Sequence, residues 1–251
     1  MRPHAFTLIE LIVVISIIAL LIGILLPSLA AARHSARAMQ CLSNIRQMEI
    51  AHYSYTHDNK GHLIRANLAH GGVTHGDFPA WFLSLSAYYG SELVVRSPLD
   101  ESEHWGPFPQ GEPIPNAPTT QRRQTSYGIN NFLDVSTIPY GPDFQSRSEF
   151  PYYTMANVHQ TSSTVHFLIM AFEGRYAGAD HPHVESWFNA SYPTPAIPAQ
   201  QQVQINAVRG EPQTDGAVSN WGFLDGHAES VPFGELVTDV YANNFDPSAR
   251  H

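Results

Sequence analysis

The chain has a single cysteine, Cys41, so no intrachain disulfide can form and the fold must be held by packing. Charge is also scarce. Asp, Glu, Lys and Arg make up 14% of the residues, well below the usual quarter of a soluble domain. Positive charge is the scarcer sign, with 13 Lys and Arg against 22 Asp and Glu. The basic patch that a nucleic-acid binder needs is therefore missing, and no nucleic-acid partner is expected. No Gly-x-Ser-x-Gly elbow, phosphate loop or His-Glu-x-x-His appears. The sequence thus offers no catalytic residue, and a non-enzyme is expected. Aromatics are not lacking: 13 Phe, 11 Tyr and 4 Trp are too many for a chain disordered throughout.

The little charge there is lies unevenly. Residues 1–57 hold Arg2, Arg33, Arg37 and Arg46 but only two acids, Glu10 and Glu49. Residues 11–26 read LIVVISIIALLIGILL, sixteen residues without a charge. Counted back to Ala5, the segment as a helix is roughly 33 Å long, enough to cross a hydrocarbon core. A lone segment in lipid must satisfy its own backbone, which requires a helix. Glu10 stands near the front of this run, where a charged carboxylate is costly unless it is paired or protonated. Three readings fit: a secretory signal cut after Ala32 in LAAAR, a plain membrane anchor, or a segment in which Glu10 has a partner.

The residues around Glu10 point to the third. AFTLIEL resembles the type IV prepilin processing motif: a small residue, Phe, Thr-Leu-Ile-Glu, then an unbroken apolar helix. The resemblance implies that prepilin peptidase removes residues 1–5 as a leader, cutting between Ala5 and Phe6, and that Phe6 is then N-methylated. Ala5 stands where the family usually has Gly, and Pro27 stands where pilins tend to carry a proline. In such a chain the amine of Phe6 pairs with Glu10 of a neighbouring subunit, which makes the buried charge tolerable and fixes the axial stagger. The implied partners are prepilin peptidase, like pilin or pseudopilin subunits and inner-membrane lipid. The implied location is the inner membrane, single-pass, with the N-terminus cytoplasmic and the head periplasmic, or a pilus or type II secretion pseudopilus. The alternative is a single-pass anchored periplasmic binding module that does not polymerise.

Beyond the apolar run, Leu29, Ala32, Ala36, Met39, Leu42, Ile45, Met48 and Tyr55 recur mostly every three or four residues, which predicts one helical face. HDNKGH at 57–62 is a stop signal. A helix over residues 6–57 is expected, its transmembrane part at about 8–26, with Pro27 kinking or melting it locally. Residues 58–251 form the head. DFPAWFLSLSAYYG (77–90) predicts a short helix, TSYGINNFLDV (125–135) a strand, and STVHFLIMAFE (163–173) a buried strand. SNWGFLDGHAESV (219–231) predicts a β-hairpin around Asp225-Gly226. Residues 105–124, 140–154 and 181–204 read as loops or insertions. CLSNIRQ (41–47), RSPLDE (96–101), SYGIN (126–130) and NWGFLDGHAE (220–229) resemble landmarks of large planctomycete families that carry the prepilin start. The resemblance implies an α+β, pilin-like fold: a long N-terminal helix packed on a small antiparallel sheet with long loops.

Metal ligands are sparse by spacing. His181 and His183, His70 and His75, and His227 show no i, i+4 helical pair and have no cysteine pair to assist them. Some pseudopilins hold calcium in a C-terminal loop, and Ca2+ wants clustered oxygens. On that resemblance Asp215, Asn220, Asp225 and Glu229 are the calcium candidates, and no other cofactor is expected.

Overall fold

The computed structural model describes residues 8–68, 79–90, 92–106, 114, 122–134 and 152–249. The first element, α1, is a helix over Leu8–Asp58. It is assigned as helix straight through Pro27, so the local melting expected there does not occur. Its end follows from local chemistry. The Gly61 N–H donates to the Thr56 carbonyl at 2.7 Å, and Lys60 takes a left-handed φ of 59°. That is the six-to-one bond of a Schellman cap. The left-handed residue is Lys60, while Gly61 supplies the next positive φ.

The chain divides into two compact units, Met1–Arg37 and Ala38–His251. Within the first, every large apolar side chain from Leu8 to Leu29 is exposed by 46% or more. Within the second, the core is aromatic and aliphatic, and α1 contributes Ala38, Cys41, Ile45, Met48, Ala51 and His52 as its inner face. This face differs from the expected stripe. Met39, placed on it by periodicity, is 64% exposed, because the buried positions include polar Asn44, Glu49, His52 and Thr56.

The strands are short and antiparallel. β1 (Tyr127–Ile129) pairs with β2 (Phe167–Ile169), β3 (Val218–Gly222) with β4 (Ala228–Pro232), and β5 (Val237–Asp239) with β6 (Ala242–Asn243). Among the described residues the expected small antiparallel sheet takes the form of three two-stranded ribbons. A bridge between Val165 and Phe223 links the β2 segment to β3, and the His166 N–H donates to the Gly222 carbonyl at 2.8 Å. β2 is buried on both faces. Phe167 and Ile169 pack in the cluster with Trp81, Tyr127 and Ile45, while Leu168 and Met170 pack in that of Trp187, Trp221 and Phe245. A period of two with both faces covered gives the continuous apolar run seen in the sequence.

Two expectations need correction. The helix at 77–90 is two one-turn helices, Trp81–Ser84 and Ser86–Tyr89, meeting at Leu85. The stretch 181–204 is not all loop: it holds a 3-10 helix, Val184–Phe188, and a short α-helix, Ala196–Gln200. Residues 140–151 and most of 105–124 lie outside the described residues.

Two of the landmark stretches, RSPLDE (96–101) and SYGIN (126–130), meet at one buried ion pair. Arg123 Nε donates to Asp100 Oδ2 at 2.6 Å, and Ser126 Oγ reaches the same oxygen at 2.6 Å. The Arg123 guanidinium also donates to the Ala171, Ala177 and Met170 carbonyls at 2.7, 2.5 and 3.1 Å. Such a fork satisfies carbonyls that no strand partner reaches, and a guanidinium is the side chain whose donors are arranged to do it.

Candidate functional site

Ala5 and Phe6 lie outside the described residues, so the processing segment is described from Leu8 onward. Glu10 sits in the first turn of α1, where a carboxylate complements the helix dipole. Around it Leu8 and Ile9 are 74% and 73% exposed. Ser16 Oγ donates to the Ile12 carbonyl at 2.7 Å and Ser28 Oγ to the Leu25 carbonyl at 2.8 Å. The hydroxyls are thereby satisfied within the helix, as an apolar solvent demands. An exposed apolar helix of this length is unfavourable in water and favourable in lipid or in a bundle of like helices. The segment is long and apolar enough to cross a membrane.

Residues 1–26 match the family model described as the prokaryotic N-terminal methylation motif. The chain thus opens on the N-terminal motif found in pilin-type and pseudopilin-type precursors, and its apolar helix fits membrane anchoring. No curated protein and no solved structure matches the chain significantly.

The head holds a second constellation that spacing arguments about histidine pairs passed over. Glu49 and His52, one helical turn apart on α1, meet His166, which directly precedes β2. All three are 1% exposed. Glu49 Oε2 lies 2.9 Å from His166 Nδ1, and the Phe167 N–H reaches Oε1 at 3.4 Å. The His52 and His166 rings lie 4.2 Å apart, tilted by 43°. The Ile64 N–H donates to His52 Nε2 at 3.4 Å. Burial pushes the Glu49 carboxyl well above the usual carboxylate range, despite the Phe167 N–H. Burial also lowers His166 to about 3 and takes His52 well down. Both partners of the close pair move toward neutrality. We therefore describe Glu49 and His166 as a neutral hydrogen-bonded pair rather than an ion pair. The legible signal was Glu49-x-x-His52 on the inner face of an otherwise apolar helix, a spacing that aims both side chains the same way.

The calcium candidates occupy different settings. Asn220 is fully buried, its Nδ2 donating to the Ala38 carbonyl at 2.8 Å and its Oδ1 accepting from Ser230 Oγ at 2.5 Å. Asp225 is exposed, its Oδ1 2.6 Å from His227 Nδ1 in the turn between β3 and β4. Glu229 is exposed on β4, and Asp215 is exposed, its backbone carbonyl accepting from the Gly234 N–H. Among the described residues, the three ligating side chains that converge are Glu49, His52 and His166, with donor atoms within 4.8 Å of one another. His181 and His183 are instead engaged by Asp180 and Glu185, at 3.0 and 3.2 Å, and His70 and His75 lie outside the described residues.

Proposed function

We propose that this chain is a structural pilin-like or pseudopilin-like subunit. Prepilin peptidase cuts between Ala5 and Phe6, Phe6 is N-methylated, and the apolar helix holds the chain in the inner membrane with its head periplasmic. From there the subunit enters a pilus or a type II secretion pseudopilus. One observation carries this reading: a methylation motif over residues 1–26 runs directly into an apolar helix whose large side chains are all exposed. Such a surface asks for lipid or for other copies of itself. The role of Glu10 follows from charge. In a helical bundle the N-terminal amine of one chain and Glu10 of the next neutralise each other, and their pairing sets the stagger.

The test is the mass of the N-terminal peptide of protein extracted from its native membrane. A peptide beginning at N-methylated Phe6 is expected. A chain beginning at Arg33 would make the segment a secretory signal, and an intact Met1 would make it a static anchor; either overturns the proposal. Glu10→Val then separates assembly from anchoring: the variant precursor is still cut but fails to enter filaments. Normal incorporation of the valine variant would refute the stagger argument.

A further inference from the structure

The head's buried cluster has no task in membrane insertion or in stagger. We infer that Glu49, His52 and His166 form a binding site for a divalent transition-metal ion of the zinc type, which staples α1 to the segment leading into β2. Two imidazoles and one carboxylate are a donor set for such an ion, whereas calcium asks for oxygen alone. The donors come from two places in the chain, Glu49 and His166 being 117 residues apart, so an ion held between them ties the helix to the strand.

The geometry is close to what an ion requires. Zinc bonds of about 2.0–2.1 Å in a tetrahedral arrangement set donors roughly 3.4 Å apart. Here all three donor atoms lie within 4.8 Å of one another, and the Glu49 to His166 distance is already 2.9 Å. The backbone is opened at this point: a Cβ on Gly222 would stand 2.5 Å from Glu49 Oε1, so glycine leaves the carboxylate its place against the strand. One bond in the cluster is long. The bond to His52 Nε2 is 3.4 Å long, near the outer limit of hydrogen bonding, in a residue 1% exposed.

The experiment uses the full chain, purified in detergent without a histidine tag. Metal content is measured as isolated; the protein is then stripped with chelator and titrated with zinc during thermal unfolding. One zinc per chain is expected. At a zinc concentration about 100 times Kd, the midpoint should rise by about 5–10 °C. Glu49→Gln and His166→Asn should abolish both. A stripped wild-type protein that binds no zinc and melts unchanged overturns the inference and leaves a hydrogen-bonded polar cluster. Zinc binding that survives in both variants, or is lost instead in a His181→Ala, His183→Ala variant, also overturns it. If the cluster variants do not fold, Co2+ added to stripped wild-type protein decides. The strong visible bands of a four-coordinate ion support the site, and a weak six-coordinate spectrum refutes it.

Discussion

Gly222→Ala is the sharpest test of how the head is packed. An added Cβ would lie 2.5 Å from Glu49 Oε1, 2.6 Å from Ile45 Cγ2 and 3.2 Å from the Phe167 Cβ. None of these neighbours has room to withdraw. Ile45 and Phe167 are fully buried, and Glu49 is held by His166 at 2.9 Å. Overpacking of this kind costs about 1–3 kcal/mol. Displacing the Glu49 carboxyl strands His166 Nδ1 in the interior, which adds about 1–3 kcal/mol. For a unit of this size each kcal/mol moves the midpoint by about 2–4 °C, so the two costs together should lower it by about 4–24 °C. The assay is thermal unfolding of the full chain in detergent, followed by near-ultraviolet circular dichroism. Gly216→Ala is the control, because a Cβ there meets nothing within 4 Å. It should leave the midpoint unchanged or raise it slightly. A Gly222→Ala protein melting with the control would refute the close approach of helix and strand.

Two further predictions concern the same unit. Arg123→Met leaves Asp100 buried without its cation and three carbonyls without a donor, and should destabilise by about 3–5 kcal/mol in a urea titration. Arg123→Lys should not restore the loss, since one ammonium cannot span carboxylate and carbonyls at once. Cys41 is fully buried and burial pushes its thiol up, so it should resist iodoacetamide at pH 8 until the chain unfolds. Mass spectrometry checks this, and rapid labelling of folded protein would refute the burial of that helix face.

Local signals were legible wherever the chain answers to its neighbours in sequence. The end of α1 followed from a stop built on Asn-Lys-Gly and fell within one residue of Asp58. The β3–β4 hairpin followed from Asp225-Gly226, where Gly226 takes a φ of 100°. What failed was non-local. Residues 181–204, with YPTPAIPAQ at 192–200, read as a loop, yet Pro198 sits in the first turn of Ala196–Gln200, where its missing N–H is not needed. The inner face of α1 was drawn through apolar residues alone. It includes Glu49 and His52 because His166 and the Ile64 N–H arrive from elsewhere to receive them. No window of sequence contains that partner.

Glu10 and Glu49, the only acids in residues 1–57, pose one physical problem in two settings. Each sits on a helix among apolar side chains, and each is tolerable only with a partner. Glu49 finds His166 within its own chain, and burial drives the pair to neutrality. Glu10 sits on a helix segment whose large apolar side chains are all exposed. The partner proposed for Glu10 in an assembly is the N-terminal amine of another copy. That difference separates the two acids by experiment: substituting Glu49 should change the stability of an isolated chain, whereas substituting Glu10 should change only what many chains do together.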